Sequence, residues 1–155
     1  MFLCEKFAPE SRKAMTDELP EDLAERAVYS SADAAEAILN TMGDLPPFGI
    51  AFFADGKRQI VAPFEDAETA VQATHDWLRT QVAKQLEAVV RQRDDVVAVT
   101  TILADDGPAK VYIQLETRAV LAPPLAFPVS LRDGRHNLEE PHVFEQRIAA
   151  PILPR

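Results

Sequence analysis

The chain has 155 residues, of which 47% are hydrophobic and 26% charged, so we expect one folded domain rather than a disordered chain. Its 25 acidic and 16 basic side chains give a formal charge of -9 without a cluster of Lys and Arg, which argues against binding to nucleic acid or to an anionic membrane. The single cysteine, Cys4, excludes an intramolecular disulfide, and no apolar run approaches the ~18 residues of a membrane span, so we expect a cytoplasmic protein.

The N-terminal third is predicted to be helical. Residues 1–18 are weakly periodic, and we expect them to be poorly ordered. Two helices are predicted after them, at 20–29 and at 31–42, with Ser30 as the N-cap of the second. Gly43 is a suitable residue to end that helix.

A β-hairpin is predicted next. The apolar run 48–54 and the run 57–63 are joined by Asp55-Gly56. Two β-rich runs joined by Asp-Gly are a strong hairpin signal, because both residue types tolerate the positive φ angles of a type I′ turn.

The longest helix is predicted at 66–93, with Asp66 as its N-cap. At 1.5 Å per residue this helix would span about 42 Å, longer than a small sheet needs, so one end is expected to project or to pack against another chain. Trp77 borders its apolar stripe and is expected to be a core or interface residue.

A second hairpin is predicted from strands at 96–104 and 109–117, joined by a turn at 105–108. The second strand alternates, which indicates one dry face and one face exposed to water. Its dry face holds Val111, Ile113 and Leu115, and its wet face holds Lys110, Tyr112, Gln114 and Glu116.

The apolar segment 119–131 contains three prolines, which cannot donate backbone hydrogen bonds, so it is expected to be an edge strand or an extended crossover. Its apolar strip at 120–131 must be covered, either by the long helix of the same chain or by a second copy or another protein. The residues that we predict to bind a partner are Trp77, Val120, Leu121, Leu125 and Phe127. A third turn at Asp133-Gly134, a final strand within 142–148 and an extended tail at 150–155 follow.

Together these elements predict a single α+β domain over 1–155. Its antiparallel sheet of about five strands would come from two Asp-Gly hairpins and a Pro-rich edge strand, packed against the long helix and the N-terminal helices. The order helix, hairpin, helix, hairpin and further strand resembles that of roadblock and profilin-type scaffolding domains. The terminal helix common in roadblock domains is not evident here, and function does not follow from element order.

The best candidate for metal binding is the segment 136–142. It offers His136, Glu139 and His142, with Glu140 beside them, which are suitable ligand types for zinc or iron. The two histidines are six residues apart and Pro141 interrupts any helix between them, so a solvated loop is the competing interpretation.

Other catalytic and cofactor motifs are absent from the sequence. The five glycines do not form a phosphate-binding loop, and no Ser lies in a nucleophile-elbow motif, so no cofactor is predicted. We therefore expect a non-catalytic protein-binding or assembly module that acts as a homodimer. The alternatives are a small enzyme or metal-binding protein that uses the 136–142 cluster, and an acidic antagonist of a basic protein.

Overall fold

A computed structural model describes residues 21–64, 74–105 and 109–153 of the chain, and the predictions for 1–18 and for the end of the tail lie outside these residues. Two helices and seven strands lie within them. The helices are α1 (Glu21–Met42) and α2 (His75–Gln92); the strands are β1 (Phe48–Phe53), β2 (Arg58–Val61), β3 (Val96–Ala104), β4 (Lys110–Thr117), β5 (Leu125–Arg132), β6 (Arg135–Leu138) and β7 (His142–Val143).

The strands form one antiparallel sheet in the order β2-β1-β3-β4-β5-β6, with β7 also paired to β5. Helix α1 packs on one face of this sheet, and α2 packs on the other. The predicted α+β class with an antiparallel sheet is therefore confirmed. The sheet has seven strands within the described residues, where about five were predicted.

Helix α1 is continuous where two helices were predicted, because the serines at the expected break are used inside it. Ser31 is fully buried, and its hydroxyl donates to the carbonyl of Ala27 at 2.8 Å. The same oxygen lies 2.7 Å from the hydroxyl of Thr100 on β3. The hydroxyl of Ser30, the predicted N-cap, accepts instead from Arg58 on β2, so neither serine begins a new helix.

The two faces of the sheet bury separate apolar clusters. On the first face, α1 covers side chains of β1, β3, β4 and β5, among them Phe48, Ile102 and Phe127. On the second face, α2 lies close to β1 at Gly49. A Cβ at this position would lie 2.8 Å from Leu86 Cδ1, so glycine permits the close approach of helix and strand.

The Asp-Gly turns differ from one another. At Asp55-Gly56 only the glycine has a positive φ, +89°, and the Phe53 amide donates to the Lys57 carbonyl, which closes a three-residue loop. At Asp133-Gly134 both residues have positive φ angles, 54° and 77°, and Arg132 pairs directly with Arg135. The type I′ geometry therefore occurs between β5 and β6, and not at the first turn, where it was predicted.

The prediction of a Pro-rich edge strand is wrong, because β5 is an interior strand. It pairs with β4 on one side and with β6 and β7 on the other. Prolines lack a donor but still accept: the carbonyl of Pro128 accepts from Glu139 and that of Pro124 from Phe144. Pro128 lies opposite the point at which the chain passes from β6 to β7. No continuous hydrogen-bond ladder runs there, so the missing backbone N–H of proline interrupts none.

Helix α2 begins at His75, with the Thr74 hydroxyl accepting from the Trp77 amide at 3.1 Å. The predicted first part of the long helix, including its N-cap Asp66, lies outside the described residues. Over the described part the helix has 18 residues, which corresponds to about 27 Å at 1.5 Å per residue.

Candidate functional site

The residues of the predicted metal cluster lie on two strands and the loop between them. His136 is on β6, and its Nδ1 is buried without a hydrogen-bond partner among the described residues. Glu139 lies in the loop after β6, whereas His142 is exposed on β7. Within the described ranges, no three His, Cys, Asp or Glu side chains are grouped so that they could hold a metal ion.

The carboxylate of Glu139 is used by its own hairpin. It accepts from the hydroxyl of Ser130 and from the guanidinium of Arg132, the latter at 2.6 Å. The Ser130 hydroxyl and then the charge of Arg132 hold the pKa of Glu139 below its usual range. These contacts join β5 to the chain that leaves β6, which is a structural role.

The residues predicted to bind a partner divide into two groups. Phe127 is only 2% exposed, and its ring meets that of Tyr29 edge-on at 6.3 Å, so it belongs to the core under α1. Leu125 is partly buried against the same cluster. Trp77 and Val120 are about half exposed, at 51% and 52%. Leu121 is half-buried. Leu125 and Phe127 of the strip therefore pack in the cluster under α1 and not under the long helix, whereas Val120 and Leu131 are exposed.

One edge of the sheet is closed by side chains of α1. The outward backbone groups of His136 on β6 are both bound by Asn40: its Oδ1 accepts from the His136 amide at 2.7 Å, and its Nδ2 donates to the His136 carbonyl at 2.9 Å. Glu36 accepts from the Leu138 amide at 2.9 Å. These two side chains occupy the positions that an additional strand would take.

The opposite edge, at β2, has no such cover among the described residues. The Phe53 amide bonds the Lys57 carbonyl, and hydrogen-bonded positions alternate along β2 from that pair. The backbone groups of Gln59 and Val61 therefore bond β1, whereas those of Arg58 and Ile60 point away from the sheet. No described strand pairs with this edge. Ile60 is 43% exposed at its centre.

A groove of about 420 Å³, here named the hairpin groove, lies between α1 and the β1–β2 hairpin. Its basic side chains are Arg26, Lys57 and Arg58, and Arg58 donates to the hydroxyl and carbonyl of Ser30. The other residues that line it are Leu23, Ala27, Tyr29, Asp33, Phe52, Phe53 and Gly56.

The supposed wet face of β4 is buried by the C-terminal segment, here defined as residues 148–153. Gln114 and Glu116 are each 3% exposed. Gln114 bonds the Ile148 amide and the Ala149 carbonyl, and Glu116 accepts from the amides of Ile152 and Leu153. Arg79 of α2 donates to the Ile148 carbonyl at 2.9 Å.

Sequence reasoning missed this contact because polar side chains that alternate with apolar ones are typical of a solvent-facing strand. The sequence feature that could have indicated this contact was the apolar character of the tail. Leu153 is 3% exposed and packs among Val82, Leu86 and Val99.

Comparison of the chain with protein-family models, with curated proteins and with solved structures gave no match. In the described part of the chain, neither helix combines the length and the apolar character needed to cross a membrane.

Proposed function

We propose that the protein is a non-catalytic assembly module that forms a homodimer by antiparallel pairing of β2 with β2 of a second copy. The observation that carries the proposal is the difference between the two edges of the sheet. The β6 edge is covered by Asn40 and Glu36, whereas the backbone groups of Arg58 and Ile60 point away from the sheet.

Among the described residues, β2 is an edge of the sheet without cover, and pairing through this edge favours a closed dimer over a chain of many copies. When two identical edges pair about a two-fold axis, each covers the other, and the β6 edge, which Asn40 and Glu36 cover, does not extend the sheet further. A second copy of the chain is therefore a partner whose β2 pairs along the whole β2 edge.

The hydrogen-bonding pattern limits the registers that such a dimer can take. Antiparallel partners must present outward-facing groups to each other, and one register that does so places Ile60 opposite its symmetry mate and Arg58 opposite Ala62. The exposed Ile60 side chains would then be neighbours on the α1 side of the sheet, where they shield each other from water.

Charge supports the same register. With the axis at Ile60, the two Arg58 positions are four residues apart along the pair, about 14 Å at 3.4 Å per residue. With the axis at Gln59 they would be about 7 Å apart, and the like charges would repel each other more strongly.

Sedimentation equilibrium of the full chain at micromolar concentration tests the proposal. We expect a dimer for the native chain and a monomer for Ile60→Lys, because two lysines would face each other at the axis. Leu131→Lys is the matched control, since Leu131 is an exposed apolar strand residue, 64% accessible, on β5.

The control should remain a dimer, and circular dichroism should show both variants folded. A monomeric native chain would contradict the proposal. So would an equal response of the two variants, which would place the contact elsewhere.

A further inference from the structure

The hairpin groove carries cations that have few partners in the part of the chain that the structure describes. Among the described residues, the side chains of Arg26 and Lys57 have no hydrogen-bond or ion-pair partner, and that of Arg58 is bound to Ser30. Asp33 is the carboxylate among the lining residues, so three cations and one anion give the groove a net charge of +2. The whole chain carries -9, which makes this a local reversal of sign.

The groove is also partly apolar. Ala27 and Phe52 are buried core residues that reach it, and Leu23 is half-buried on the same face of α1. Its volume of about 420 Å³ falls in the range of small-molecule sites, roughly 300–1,000 Å³. Apolar surface with a few converging polar groups is the usual composition of such sites.

We propose that the hairpin groove binds a small amphipathic anion, which has an aromatic or aliphatic body and one carboxylate or phosphate group. The body contacts Phe52 and Ala27, while the acid group is bound by Arg26 and Lys57. Charge-assisted hydrogen bonds to these side chains orient the acid group, and the apolar surface removes the apolar body of the ligand from water.

This inference does not depend on the proposed dimer. Ile60 does not line the groove, so Ile60→Lys leaves the groove residues in place and should retain ligand binding whether or not the chain dimerises. Failure of one proposal is therefore distinguishable from failure of the other.

Isothermal titration of the full chain with 1-naphthyl phosphate tests the inference, with inorganic phosphate and 1-naphthol as partial probes. We expect saturable binding of 1-naphthyl phosphate with one site per chain and much weaker binding of either partial probe. The variant Arg26→Gln/Lys57→Gln should bind it at least about tenfold more weakly, because two charge-assisted contacts are lost.

The matched control is Lys84→Gln/Arg91→Gln, which removes the same charge from exposed positions on α2, the helix on the other face of the sheet. It should bind like the native chain, and NMR shifts on titration should centre on the amides of Ser30 and Gly56. Absence of saturable binding would overturn the inference, as would equal losses in the two double variants. Binding of phosphate or naphthol as tightly as the whole probe would overturn the amphipathic specificity.

Discussion

The hydroxyls of Ser31 and Thr100 form a polar contact inside the apolar interface between α1 and β3. The Ser31 hydroxyl donates to Ala27, so the Thr100 hydroxyl is the donor in the 2.7 Å contact between them. Both residues are fully buried. A polar pair in this position ties the register of α1 to one point on the sheet, because a shifted helix would leave a hydroxyl without a partner.

Ser31→Ala is expected to lower the free energy of unfolding by about 1–3 kcal/mol, since it leaves the Thr100 hydroxyl unsatisfied. Adding Thr100→Val should cost less than the sum of the two single changes, because the double variant leaves neither group of the pair unpaired. Urea denaturation of the native chain, both single variants and the double variant measures the coupling. Strict additivity would show that the contact contributes nothing of its own.

The two Asp-Gly turns show that a dipeptide by itself does not fix the geometry of a turn. Asp55-Gly56 and Asp133-Gly134 are the same dipeptide, yet only the second has both φ angles positive. The dipeptide permits a type I′ turn, whereas the register of the strands that it joins decides the turn that forms. At the first site the loop takes a third residue, so the strand register, which no dipeptide encodes, determines the geometry.

Among the elements, the C-terminal segment is held mainly by side chains that bind its backbone. Gln114 and Glu116 of β4 together bond backbone groups at four of its residues, and Leu153 fills a place in the core beneath α2. This explains why an apparently solvent-facing strand surface is buried. The segment completes the α2 side of the molecule without adding a strand.

Glu116→Ala should release the end of the C-terminal segment, because hydrogen bonds to a charged acceptor contribute about 1.5–3 kcal/mol each. We expect amide exchange at Ile152 and Leu153 to rise at least about tenfold. The Ile102 amide, in the sheet, should be unaffected. Hydrogen exchange followed by NMR measures both, and unchanged protection at Leu153 would show that apolar burial alone holds the segment.

For the whole molecule, the two edges of the sheet differ because one end of α1 reaches only one of them. Glu36 and Asn40, in the second half of α1, contact β6. Arg26 and Ser30, in the first half, lie beside the β1–β2 hairpin, and no described residue covers the outer edge of β2. The diagonal path of one helix across the sheet therefore produces both the closed edge and the hairpin groove.

The proposed dimer should tighten as salt is added. Each chain carries a formal charge of -9, so association brings together molecules of like charge. Screening is stronger at high ionic strength: the Debye length falls from about 10 Å at 0.1 M to about 3 Å at 1 M. Sedimentation equilibrium between these concentrations should give a falling dissociation constant, and a rising one would indicate that opposite charges hold the contact.

The sequence by itself determined the class of the fold. Apolar periodicity near 3.6 residues predicted helical structure in the first third, alternation predicted the strands, and Asp-Gly dipeptides predicted turns between strands. These features depend on neighbours within a few residues, so local pattern suffices to find them. Trp77 and Val120, which we predict to bind a partner, are each about half exposed.

Only the tertiary structure decided which polar residues are buried and which edge is available. Phe127 proved to be core, Gln114 and Glu116 proved to be buried, and Pro128 of β5 proved compatible with an interior strand. In each case the partner is distant along the chain: Tyr29 for Phe127, and the C-terminal segment for Gln114 and Glu116. Burial depends on such long-range neighbours, whereas secondary structure depends mainly on adjacent residues, and for that reason the candidate site could not be located from the sequence.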